Sequence, residues 1–289
     1  MNRCVDLHTH STASDSLFTP TELVRYAAEK GLAAISLTDH DTTGGLKEAM
    51  AEGERIGLEV IPGIEITTLV DGCDVHIIGL LFDPEDPGLH AHIAGMAKSR
   101  ARRNQQMIAQ LAAAGIDICP EDMKRYGDRQ ISKGHIAAVL IRRGYATDLK
   151  DALDRYMRKG RAGYVRRKTP PAEACIDLIH RAGGLAFVAH INQIDPMDPE
   201  HGIHICSRLL EAGADGLETK YCEYDAFWEE QAEALARRYN ALRSGGSDFH
   251  GAIKKGLDLG TGYGGLRVPV SYLDAIKEEL FRRRAETHI

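Results

Sequence analysis

At 289 residues, with 43% hydrophobic and 27% charged residues, the chain has the make-up of a soluble globular protein, long enough for one barrel-sized domain or two smaller ones. No apolar run approaches the roughly 20 residues of a membrane span, and no basic-then-apolar signal region opens the chain, so a cytoplasmic protein without membrane attachment is expected. The net charge of −6 is uneven: 97–168 carries 18 Lys/Arg against 7 Asp/Glu, a balance of +11, which leaves the remainder at 18 against 35, or −17. Six cysteines (Cys4, Cys73, Cys119, Cys175, Cys206, Cys222) include no C-x-x-C pair, which excludes a zinc finger or disulfide framework and predicts reduced, mostly buried thiols.

Taken in chain order, an apolar strand over 4–7 leads into "HTHSTASD". Side chains two apart on a strand face the same way, so His8 and His10 project together. By itself such a pair serves equally as two exposed histidines at a turn, and the rest of the chain must decide. Thr19 and Glu22 form a capping box, Pro20 stands at the first helical position, and Gly31 closes that helix. Strand "AAISL" then ends at "TDHD", a helix runs over about 46–56, and strands "EVIPGIEIT" and "DVHIIGLL" follow.

From about 92 to 168 the pattern becomes helix after helix with no β segment, a basic stretch that reads as an insertion. Alternation resumes with helix "PAEACIDLIHRAG", strand "LAFVAH", helix "ICSRLLEAG", strand "GLETKY", helix "WEEQAEALARRY", strand "LRSGGSDFH" and a last helix from about Ser271. Roughly seven β/α units imply a mostly parallel sheet closed into a barrel, whose active site gathers at the C-terminal strand ends. The suspicious residues stand there: His8 and His10, Asp39 and His40, Glu65, His76, His190, then Asp248 and His250. Glu65 lies between two isoleucines, where a carboxylate is costly unless paired or bound to metal. Imidazole mixed with carboxylate suits Zn, Mn or Fe better than Ca or Mg.

The motifs "DLHTHS", "TDHDT", "PGIEIT", "VHIIGL", "LAFVAH" and "GGSDFHG" resemble, in that order, those of the PHP (polymerase and histidinol phosphatase) superfamily over nearly the whole chain. The resemblance implies a distorted (β/α)7 barrel, formed by 1–92 and 169–289, with a small helical domain, 93–168, inserted over the active site. It implies up to three divalent metals (Zn, Mn or Fe). His8, His10, Glu65 and Asp248 would hold the first, Glu65 with His76 and His190 the second, and Asp15, His40 and His250 the third. The insertion, with "ISKGHIAAVLIRRG" and "YMRKGRAGYVRRKTP", resembles the branch of nucleotide 3′,5′-bisphosphate phosphatases, a 5′-to-3′ RNA exonuclease and cyclic-phosphate dihydrolases. Two departures stand out. Where that branch commonly shows Arg-Pro-His this chain has Lys133, Gly134 and His135, and where it shows Ala-His-Pro this chain has Ala189, His190 and Ile191. Lysine is a point charge where arginine grips bidentately.

The expected activity is hydrolysis of phosphate mono- or cyclic diesters of a small phosphorylated sugar or nucleotide. A water shared by two metals, its pKa lowered from about 15.7 toward about 7, attacks as hydroxide. Asp248 accepts its remaining proton, and His135 or His204 protonates the leaving alkoxide. Lys133, Arg161 and Arg167 are the candidate phosphate contacts, each otherwise a solvated surface charge. Tyr221 either lines the pocket or packs in the core, and Asp39 and Asp41 orient ligands. The alternatives are a 5′-to-3′ exonuclease on short RNA and a catalytically silent regulatory module. A stable nucleic-acid partner is not expected, because the chain is acidic overall, only 6% aromatic, and its basic block lacks interleaved stacking residues.

Overall fold

The computed structural model describes residues 4–126, 131, 133–166, 168–251 and 253–287. The chain divides into two compact units, Met1–His90 with Pro170–Ile289, and Ala91–Thr169.

The first unit is a mixed α/β barrel. Its strands are β1 (Cys4–Thr9), β2 (Ala34–Leu37), β3 (Glu59–Val70), β4 (Cys73–Leu80), β5 (Leu185–Val188), β6 (Gly216–Tyr221), β7 (Leu242–Gly246) and β8 (Val268–Pro269). They form one sheet in the order β7-β6-β5-β4-β3-β2-β1-β8. The ends of this sheet meet: the Asp248 amide donates to His8 O at 2.9 Å and the His10 amide to Phe249 O at 3.0 Å. Gly246 permits that closure, because a Cβ there would fall 2.4 Å from His8 Cβ and 2.5 Å from His8 N.

β1, β2 and β3 run parallel, as do β5, β6 and β7, but β4 is antiparallel to both neighbours. The reason is local. Asp71 and Gly72 both take positive φ, 52° and 90°, which makes "VDGC" a two-residue Asp-Gly hairpin turn. Reversal has a functional consequence, since it brings the first half of β4, with His76, to the end where the parallel strands finish. Residues two apart share a face, so Glu65 continues the row of Ile61 and His76 that of Ile78 and Leu80. Those three apolar residues are buried in a core with Val5, Leu7, Leu185, Phe187, Val268, Leu273 and Ile276.

The helices of this unit are α1 (Pro20–Glu29), α2 (Leu46–Ile56), α6 (Ala172–Arg181), α7 (Pro199–Glu211), α8 (Ala226–Arg238) and α9 (Val270–Thr287); α3 (Pro87–Ala113) leads from it into the second. The Thr19–Glu22 capping box forms on α1. α7 begins six residues before the expected Ile205, because Asp198 caps the His201 amide and Pro199 occupies the first turn.

The second unit contains the rest of α3, a 3₁₀ turn over Pro120–Tyr126, α4 (Lys133–Arg142), α5 (Leu149–Ala152) and a π turn over Leu153–Met157. Among its described residues there is no strand. It has an apolar core of its own, built on Met107, Ile108, Leu111, Ile136, Val139, Leu140 and Met157. All six cysteines are free thiols, but only Cys175 and Cys206 are fully buried; the other four lie at half-buried strand ends and loops.

Candidate metal centre

Six imidazoles and three carboxylates converge at the end of the barrel where β7 closes on β1. Glu65, with no exposed surface, is the hub. Its Oε1 lies 2.7 Å from His76 Nδ1 and 2.9 Å from His190 Nε2. Its Oε2 lies 2.8 Å from His40 Nδ1 and 3.3 Å from Nε2 of both His8 and His10. Asp248 Oδ1 stands 3.1 Å from His10 Nε2, 3.6 Å from His8 Nε2 and 3.4 Å from His250 Nδ1. Asp15 faces His250 Nε2 at 3.3 Å and His40 Nε2 at 4.0 Å. Donor atoms close enough for a shared ion occur in three overlapping sets: His10, Asp15, His40 and His250; His8, His10 and Glu65; and His40, Glu65 and His76.

Backbone strain accompanies the cluster. His190 and Asp248 adopt positive φ of 22° and 51°, and Asp41, next to His40, 54°. Such values cost a non-glycine residue on the order of 1 kcal/mol or more and persist where surroundings impose them. Asp41 is held by the Thr67 amide at 2.9 Å. Asp39 accepts from the Ser11 amide at 2.7 Å, the Ser11 hydroxyl at 2.6 Å and the Ser14 hydroxyl at 2.5 Å, which shapes the loop that presents Asp15.

Electrostatics favour a cation. Burial disfavours charge on Glu65 and Asp248, yet the surrounding imidazoles outweigh it and hold both carboxyls well below their usual range. Burial and the neighbouring His250 and His40 depress His10 to about 3. Burial opposes charge on His40 too, but Glu65 and Asp15 raise it to about 10. Despite these close approaches, His8 Nε2, both ring nitrogens of His10, Asp15 Oδ1, His40 Nδ1 and Glu65 Oε2 are buried without a well-aligned hydrogen bond. A buried polar atom left unsatisfied costs about 1–3 kcal/mol, and the concentration of six such atoms on residues of these overlapping sets is what donors arranged for metal produce. The residues fit divalent ions, and a nitrogen and oxygen donor set suits Zn, Mn or Fe.

A PHP domain model matches residues 6–182. The chain belongs to the PHP family. A 3′,5′-nucleoside bisphosphate phosphatase of Chromobacterium violaceum is 35% identical over 89% of this chain and 90% of its own length. The 5′-3′ exoribonuclease Rnm of Escherichia coli is 34% identical over 85% of this chain and 84% of its own. A phosphoribosyl 1,2-cyclic phosphate 1,2-diphosphodiesterase of Eggerthella lenta is 31% identical over 85% and 94%. The solved structure of an amidohydrolase from Chromobacterium violaceum, with bound sulfate and no metal, superposes with a TM-score of 0.81 at 33% identity, covering 98% of this chain and 97% of that one.

Beyond the nine residues expected as ligands, Glu218, Asp6 and Lys254, which the sequence pattern does not single out, also bear on the cluster, as does Tyr221. Glu218, fully buried on β6, accepts from His8 Nδ1 at 3.0 Å and from the His190 amide at 2.7 Å. Its signal is weaker than that of Glu65, because Thr219 and Lys220 follow it in "GLETKY" and the strand is not apolar around it. Asp6 receives the amides of Ser247 and Gly260 and the Ser247 hydroxyl, tying the end of β7 to β1, and burial pushes its carboxyl up to about 6. Tyr221 hydroxyl and Lys254 Nζ donate to Asp248 Oδ2 at 2.9 and 2.8 Å, so Tyr221 both packs and bonds.

His204 is exposed on α7, and among the described residues it bonds to none of the cluster. Lys133 and His135 lie at the start of α4 in the second unit. Arg161, exposed in that unit, donates through Nε to Asp154 O at 3.0 Å. Arg167 lies outside the described residues. Among the described residues no helix is long and apolar enough to cross a membrane.

Proposed function

We propose that this PHP protein hydrolyses phosphate mono- or cyclic diesters of a small phosphorylated sugar or nucleotide in a metal-dependent reaction. It is a phosphoric ester hydrolase, in keeping with the phosphatase and diesterase activities of its relatives. The observation that carries the reading is the set of six buried donor atoms without a well-aligned hydrogen bond. His8, His10, Glu65 and Asp248 would hold one ion, Glu65, His76 and His190 a second, and Asp15, His40 and His250 a third, each Zn, Mn or Fe. When bound, such ions supply Lewis acidity toward phosphoryl oxygens and lower the pKa of a water from about 15.7 toward about 7.

The chain's own groups do the rest. Glu218 accepts the Nδ1 proton of His8 and so points the Nε2 lone pair inward. Tyr221 and Lys254 donate to Asp248 Oδ2 and fix the carboxylate with Oδ1 toward the imidazoles, where it would hold the ion; the same carboxylate is proposed to take the proton of the attacking water. Burial of the hub excludes bulk water, and charge interactions there are stronger for it. Lys133 and Arg161 are proposed as phosphate contacts, and His135 as the acid for the leaving group, on residue type and charge alone. The +11 balance of the second unit attracts anionic substrate at long range. Six free thiols suit the reducing cytoplasm.

Purified protein with Mn or Zn is expected to hydrolyse phosphate esters, and His8→Ala to abolish this; full activity in that variant would overturn the metal mechanism. Comparison of kcat/KM for 3′,5′-bisphosphate nucleotides, ribose cyclic phosphates, histidinol phosphate and short 5′-phosphorylated RNA assigns the substrate. A clear preference for RNA would establish the exonuclease reading, which the match to the E. coli enzyme supports. A silent regulatory module is disfavoured because every donor position is filled.

A further inference from the structure

A second group of ligand-type side chains lies outside the nine-residue cluster. Cys73 opens β4, Asp195 lies in the loop that follows β5, and His201 stands in the first turn of α7. Cys73 Sγ donates to Asp195 Oδ2 at 3.7 Å, and His201 Nδ1 donates to the same oxygen at 2.9 Å. Each offers one donor atom, and the three atoms lie within 4.8 Å of one another.

We propose that Cys73, Asp195 and His201 form a separate mononuclear site for a borderline divalent cation, with zinc the best match.

Three properties support it. A tetrahedral zinc with Zn–S of about 2.3 Å and Zn–N and Zn–O of about 2.0–2.2 Å spaces its donors roughly 3.3–3.6 Å apart, within a few tenths of an ångström of the two contacts to Asp195 Oδ2 at 3.7 and 2.9 Å. The mixture of thiolate, imidazole and carboxylate selects a borderline ion over Ca or Mg. The charge balances as well: the thiol proton leaves to solvent on binding, and thiolate plus carboxylate neutralise the dication. His201 would bind through Nδ1, with its remaining proton on Nε2.

The surroundings suit a cation. Burial, Asp195 and the neighbouring Asp71 and Asp74 together push the Cys73 thiol up, the mark of a negative local field. The three side chains are half-buried, within reach of solvent, and the fourth coordination position is left to water.

The ion would join the β3–β4 hairpin tip to the segment after β5 and to α7. Arg208 of α7 already pairs with Asp71 at that tip. Cys73 is three residues before His76, and Asp195 five after His190, so the site braces the two backbones that present those imidazoles to Glu65.

Cobalt tests the proposal, because only a sulfur ligand yields a thiolate-to-cobalt charge-transfer band and none of the nine donors around Glu65 is sulfur. Full-length protein stripped by chelation and titrated with Co²⁺ alone is expected to develop the band, to keep it in His8→Ala and in Cys222→Ala, and to lose it in Cys73→Ala. Zinc content measured by elemental mass spectrometry should fall by one ion per chain in Cys73→Ala. Absence of the band from the unsubstituted protein, or its persistence in folded Cys73→Ala, overturns the site. If Cys73→Ala does not fold, His201→Gln takes its place: weakening of cobalt binding by tenfold or more supports the site and unchanged binding overturns it. Retention of the band in His8→Ala separates this outcome from failure of the hydrolytic centre.

Discussion

Glu218 Oε1 lies 3.0 Å from Nδ1 of His8, with both side chains wholly buried. The other carboxylate oxygen takes the His190 amide at 2.7 Å, so one residue of β6 sets both the tautomer of His8 and the backbone of His190. Outer partners of this kind typically contribute 10–100-fold in metal affinity or activity. Glu218→Gln conserves volume but directs an uncharged amide at the ring, and it can leave Nε2 protonated toward the cluster. The expected outcome is a folded protein whose affinity for Mn or Zn falls about 10–100-fold, measured by metal titration. An affinity within twofold of the unsubstituted protein would remove Glu218 from the centre.

Metal binding should also show as stability. Six donor atoms buried without a well-aligned hydrogen bond in the folded chain gain a partner when an ion binds. A ligand present at about 100 times its Kd adds about 2.7 kcal/mol per site. For domains near this size each kcal/mol raises Tm by roughly 2–4 °C. Saturating Mn is therefore expected to raise Tm by about 5–11 °C for one site, with EDTA reversing the shift. Equal melting temperatures with and without chelator would show that the cluster is only a hydrogen-bonded core.

What could be read from the linear chain follows from what residue type and periodicity encode. His8, His10, Glu65, His76, His190, Asp248 and His250 announced themselves because a polar residue interrupts or ends an apolar strand, a local signal. Asp71-Gly72 carries an equally local hairpin signal, and the reversal of β4 follows from it. Asp198-Pro199 likewise marks the true start of α7. Glu218 needed the pairing of β6 beside β5 before its carboxylate met His8. Cys73, Asp195 and His201 are spread over 129 positions, and only the closed barrel places them together. Position within a pattern is local information, whereas partnership across strands is not.

Glu52 on α2 provides a pH-dependent test of the packing between α1 and α2. It accepts from Arg25 Nε at 2.6 Å, from Arg55 Nε at 2.7 Å and from Arg55 Nη2 at 2.7 Å. Hydrogen bonds from Arg55 and Arg25 lower its carboxyl from 4.5 to about 2. A folded-state value below the unfolded one means that the pair stabilises the fold above the unfolded value and that this contribution fades as pH falls from about 4.5 toward 2. Both guanidinium groups are more than half exposed, so solvent screening keeps the contribution small and salt-dependent. The unsubstituted protein should exceed Glu52→Gln in urea-unfolding stability by a constant margin above about pH 5.5. The margin should narrow as pH falls below 4.5 and shrink on adding salt at pH 7. Titrations elsewhere, the metal centre included, are common to both proteins and cancel in the difference. A margin independent of pH and salt would show that Glu52 acts by packing of its side chain and not by its charge.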